Sequence, residues 1–181
     1  MKFMALRDCI EKILYDTSCE KINNGIIVNS PNGHRLTVAM HPYFKDREHF
    51  IWKMDGFLKN YKGPVLIFEE VTKIWQTYNR MKDMGVKGNR HFVITNTCSP
   101  YLWINSGMEW GDVLDKVNNL RNGEPVNLTG GYFDGEIREF SNKNYDYRRC
   151  FGGCLGVFAT MLRDNQVPVD FLKDLVFFRH T

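Results

Sequence analysis

No stretch of the chain stays apolar for the roughly 20 residues a membrane-spanning helix needs, so no membrane partner is expected. A secretory leader is not expected either. The opening MKFMALRDCIEKILYD carries Arg7, Asp8, Glu11 and Lys12 where a leader needs an unbroken apolar core. Both absences predict a cytoplasmic protein. Thiols stay reduced in that compartment, and the 5 cysteines, an odd number, cannot complete a disulfide framework. Serine is scarce, occurring only at Ser18, Ser30, Ser99, Ser106 and Ser141, whereas asparagine is frequent. That bias is compatible with an A+T-rich coding sequence of the kind found in phage and mobile elements, and in many bacteria. Charge of one sign is also lacking: a net charge of +3 gives little field to steer a nucleic acid. Any such partner has to be held by local clusters.

Signature motifs are missing too. There is no G-x-x-x-x-G-K-[ST] phosphate loop and no G-x-G-x-x-G dinucleotide turn, so no cofactor is expected. Without repeats, low-complexity tracts or a linker, residues 1–181 are expected to form a single globular domain. Hydrophobic residues at 43% are enough for a real core.

What is present begins with a helical stripe over 3–15, through Leu6, Cys9, Ile10, Ile13 and Leu14. GIIVNSPNGHRLTVAMH then predicts a hairpin turning at Pro31-Asn32-Gly33, with Leu36, Val38 and Met40 on the inner face of a half-buried strand. Asp46 can cap a helix to about Tyr61, and Gly63-Pro64 breaks it. VLIF reads equally as a strand or a first helical turn, and from Glu69 the pattern is helical to Gly85. RHFVITN predicts a buried strand. Ser106 and Glu109 form a capping box for a helix ended by Gly123. VNLTGGYFDGEIREF predicts a second hairpin at Asp134-Gly135, followed by a helix through Leu155, Phe158 and Leu162 and a short apolar element, DFLKDLVFF. The expected class is α+β: a mixed or antiparallel sheet of about five strands, two hairpins plus one strand, with helices packed on it.

The candidate sites start with RRCFGGCLG. Cys150 and Cys154 share a helical face, but no second pair of ligands sits at zinc spacing. Cys154, near a helix start, suits a dipole-stabilised thiolate, and LGVFA after it faintly resembles papain-like enzymes. Those enzymes need a later histidine, and only His180 follows here. Cys98 follows a strand, yet His91 at the other end of that strand stands roughly 20 Å away at about 3.3 Å per residue. Arg148 and Arg149 beside Gly152-Gly153 make an anion cradle conceivable, against a closely packed helix start. Lys73, Thr77 and Arg80 recur on one helical face, with Lys59, Lys62, Trp52 and Tyr61 near in sequence, a composition that can grip phosphates and stack on bases or simply be solvated. His41 and His49, with Asp46 and Glu48 between, outline an acid–base pair without a nucleophile. Trp103 and Trp110 can serve a partner surface or pack under a loop.

The leading expectation is a non-enzymatic binding protein for a nucleic acid or a nucleic-acid-handling protein, such as a phage inhibitor of a host enzyme or defence system. Its contacts are Lys73, Arg80, Arg148, Arg149, Trp103 and Trp110, and the sequence leaves its oligomeric state open. The alternative is a small cysteine-dependent hydrolase or transferase using Cys154 or Cys98.

Overall fold

Alternating apolar residues need a cover on each face they occupy, and here both faces of one sheet are covered. A computed structural model describes residues 34–43, 48–70, 72–86, 90–95, 110–134 and 153–178. In these the chain runs β1 (Thr37–Met40), α1 (Glu48–Asn60), β2 (Val65–Glu70), α2 (Ile74–Asp83), β3 (Arg90–Thr95), α3 (Trp110–Arg121), β4 (Val126–Phe133), α4 (Gly153–Asp164) and β5 (Val169–Phe178). The five strands form one sheet in the order β3-β2-β1-β4-β5, and every neighbouring pair is parallel.

Side-chain alternation sorts the core into two layers. Val38, Met40, Leu66, Phe68 and Leu128 point to one face, where Val113 and Val117 of α3 and Leu155, Phe158 and Leu162 of α4 cover them. Ala39, Val65 and Ile67 point to the other, under Met54 and Leu58 of α1 and Ile74, Tyr78 and Met81 of α2. Helices on both faces are what right-handed crossovers require when the strands step first one way from β1 and then the other. The result is a doubly wound α/β sandwich.

This overturns the α+β expectation and its mixed or antiparallel sheet. β1 cannot pair in a hairpin, because β2 occupies one of its edges and β4 the other. The Pro31-Asn32-Gly33 turn lies outside the described residues. β4 is likewise held between β1 and β5, which leaves no edge there for a partner turning at Asp134-Gly135. β1 is also buried on both faces, Thr37 and Ala39 included, so it is not half-buried. Glu69 belongs to a strand, with the following helix starting only at Ile74, and DFLKDLVFF is strand β5. β3 and the helices over 48–60, 110–121 and 153–164 match the sequence reading to within a few residues at their ends. The expected helix over 3–15 lies outside the described residues. None of the described helices is long and apolar enough to cross a membrane.

The β4–β5 pairing is irregular. From Leu128 to Gly130 is two steps along β4, while their partners Phe171 and Val176 stand five apart, and Thr129 holds the excess by donating to the Leu175 carbonyl at 2.7 Å.

Candidate functional site

In a sheet of this kind the chain leaves neighbouring strands toward opposite faces at one point only, and a crevice opens there beyond the carboxyl ends. Here that point lies between β1 and β4, since β1 leads to α1 on one face and β4 to α4 on the other. Glycines let the two strands close up. Gly130 has φ +90°, and a Cβ on it would overlap the Met40 carbonyl oxygen; a Cβ on Gly131 would lie 2.7 Å from the same atom and 3.4 Å from His41 Cδ2. Gly153, at φ +78°, seats the start of α4 against the Tyr132 carbonyl in the same way.

His41 is the first residue past β1. Its N–H still extends the ladder, donating to the Phe68 carbonyl at 2.8 Å, but its φ is +45°. A left-handed backbone at a histidine is strained, and such strain gathers at functional sites. The ring is 1% exposed, with Nδ1 3.1 Å from Glu69 Oε1. Glu69, also 1% exposed, accepts from the Thr77 hydroxyl at 2.7 Å on Oε2. A carboxylate at Nδ1 assigns the proton to that nitrogen and leaves the lone pair on Nε2. Among the described residues, His41 Nε2 is buried and has no hydrogen-bond partner. Buried polar atoms are mostly paired, and this unpaired nitrogen stands at the carboxyl end of β1, on one side of the point where the chain leaves toward opposite faces.

A second group braces the segment after His41. Tyr43 donates to Asp55 Oδ1 at 2.8 Å; Arg80 donates to the same oxygen from Nε at 2.9 Å and to Oδ2 from Nη2 at 2.5 Å. The Arg80 guanidinium also lies 5.1 Å from the Tyr43 ring centre. Burial, then the hydrogen bond and charge of Asp55, push the Tyr43 hydroxyl far above its ordinary pKa, against a smaller opposing pull from Arg80. Burial works to raise Asp55, but the bonds from Arg80 and Tyr43 and the Arg80 charge outweigh it and hold the carboxyl below its usual value. The Asp55 hydrogen bond raises Arg80 in turn, against the pull of burial.

No protein-family model, curated protein or solved structure matches this chain. The site therefore has to be read from its own atoms.

Of the residues singled out in the sequence, Arg80 is committed to Asp55 and Tyr43. Thr77, assigned to the same face, is instead 2% exposed on Glu69. Lys73 is the N-cap residue of α2, half-buried, with no side-chain capping bond. Trp110 opens α3 with its ring edge-on to Phe158 at 5.7 Å, as a core residue does. Cys154 is the second residue of α4 and 4% exposed, at the same end of the sheet as His41. Arg148, Arg149, Trp103 and Cys98 lie outside the described residues. His49 is exposed on α1, so the local His41–His49 pair does not describe the site. Glu69 is the residue the sequence reading missed. Among the described residues no group of three or more His, Cys, Asp or Glu side chains could hold a metal.

Proposed function

We propose that the protein is a small-molecule hydrolase or transferase working in the crevice between β1 and β4, with His41 as general base and acid, Glu69 as its orienting carboxylate and Cys154 as nucleophile. The buried Nε2 of His41, unpaired among the described residues, carries this reading. A histidine fixed through Nδ1 by a carboxylate is the arrangement that accepts a proton from a nucleophile and returns it to a leaving group. Cys154 enters from the opposite half of the fold, next to Gly153 packed on Tyr132, while His41 adjoins Gly131 one residue earlier. A thiol in the first turn of a helix lies at the positive end of the helix dipole, which works against the burial of Cys154. Thiolate attack on a carbonyl carbon would give a thioester, the leaving group taking its proton from His41; water or an acceptor, deprotonated by His41, would then release the product.

The binding-protein reading loses support at Arg80, whose guanidinium is already engaged within the fold. Peptide-resolved alkylation by iodoacetamide at pH 7 tests the enzyme reading. Cys154 is expected to react at least about 10-fold faster in the wild type than in His41→Gln. Equal rates, or no reaction at Cys154 in either protein, overturn the assignment.

A further inference from the structure

Trp52 is 73% exposed on α1, the most exposed large apolar side chain among the described residues. It stands at one end of a groove of roughly 400 Å³ lined by Trp52, Lys53, Asp55, Gly56, Lys59 and Met84. Helical spacing makes the arrangement regular. Trp52, Gly56 and Lys59 follow at i, i+4 and i+7 on the outer face of α1, so the Cα atoms of Trp52 and Lys59 stand about 10 Å apart along the axis. Gly56 is the floor between them: nothing lies within 4 Å of where its Cβ would be, so a flat group can rest there.

The charge of the groove is positive. Asp55 is the one acid among its described lining residues, and both its oxygens are taken up by Arg80. Among the described residues, Lys53 and Lys59 have no carboxylate partner. An exposed indole with these two ammonium groups fits a ligand made of flat rings linked by phosphates. A peptide needs more. A helix requires a row of apolar anchors and a strand requires a sheet edge, and the exposed positions of α1 around the groove offer only Trp52.

We propose that this groove docks single-stranded nucleic acid, one base stacking on Trp52 while Lys53 and Lys59 hold the adjoining phosphates. It is a site separate from the crevice at His41. Bases of any identity can stack on an indole, so recognition is of single-strandedness and not of sequence.

Anisotropy of a labelled oligodeoxythymidine, titrated with the protein between about 50 and 200 mM salt, tests the proposal. The expected result is salt-sensitive binding that Trp52→Ala weakens roughly 10-fold or more and Trp52→Phe largely restores. Replacing Lys53 and Lys59 together by Ala should lower the salt slope by about 1.4, the share of two single-strand phosphates. His41→Gln should leave binding unchanged, which separates this site from the proposed reaction. Absence of binding at low salt overturns the proposal. So does binding that Trp52→Ala leaves intact, a duplex bound as tightly as the single strand, or polyglutamate displacing the oligonucleotide from Trp52. Circular dichroism of each variant guards against misfolding; Trp52 and Lys59 are exposed and Lys53 half-buried, whereas His41 is buried.

Discussion

A phenol, a carboxylate and a guanidinium, drawn from a loop and two helices, hold the residues that follow His41, and two of the three titrate at opposite ends of the pH scale. The Asp55 carboxyl is depressed in the folded chain. Its contribution is complete above the ordinary carboxylate pKa of about 3.9 and is lost as pH falls through the lower folded value. Tyr43 is raised. Its contribution is complete below about pH 10, where an unfolded tyrosine would begin to ionise, and is lost above it. Thermal unfolding across pH should show Asp55→Asn flattening the acid limb and Tyr43→Phe the alkaline limb. An unchanged slope in either variant would contradict the assignment. At this scale the sequence was half legible. His41 stood out, but its neighbours Asp46 and Glu48 offered a local partner, whereas the real one lies 28 residues on. Glu69 was hidden because a carboxylate at the end of an apolar run looks like a helix start until the strand is known to continue beneath two layers.

The elements are joined by a device that no local pattern announces. Arg90, the first residue of β3, is 3% exposed and donates from Nη2 to the carbonyls of Leu58 (2.9 Å) and Tyr61 (2.6 Å) and from Nη1 to that of Gly63 (2.9 Å). It thus satisfies the end of α1 and the turn into β2, where helix carbonyls lack partners of their own. Burial lowers its pKa, partly countered by Tyr61. Arg90→Met, similar in length but without donors, should cost about 3 kcal/mol in urea unfolding, with Arg90→Lys recovering only part of it. A loss below about 1 kcal/mol would mean that the carbonyls find other donors. Helices α1, α2 and α3 were legible from their 3.6-residue period because each keeps a wet face, whereas α4 is buried along nearly its whole length. The short strands were harder: β2 and β5 lie in runs where strand and helix periodicity give the same apolar residues.

For the whole molecule, the two apolar layers share their strands, so neither face should unfold alone. Phe158, packed 4.9 Å from Phe68, anchors one layer, and Met54 the other. Phe158→Ala should cost about 3–5 kcal/mol and Met54→Ala about 2–5, each lowering a single transition seen alike by near- and far-ultraviolet dichroism. Two separated transitions would show that the faces are independent. The sheet's direction was the least legible feature. Asn32-Gly33 and Asp134-Gly135 are strong hairpin signals locally, but what decides pairing is which edges remain, and β1 has both of its edges filled by strands distant in sequence.

The offset between β4 and β5 bears on how separate copies of the chain behave toward one another. β5 is the last strand of the sheet among the described residues, and a straight outer strand is a template on which another chain can add. The three surplus residues break that template near its middle, and Lys173 and Asp174, both exposed, sit in the break. A strand arriving from another molecule would have to leave ladder groups unpaired at the kink and bring its backbone up to two charges. The irregularity that the fold tolerates at its rim is a guard against fibrous self-association.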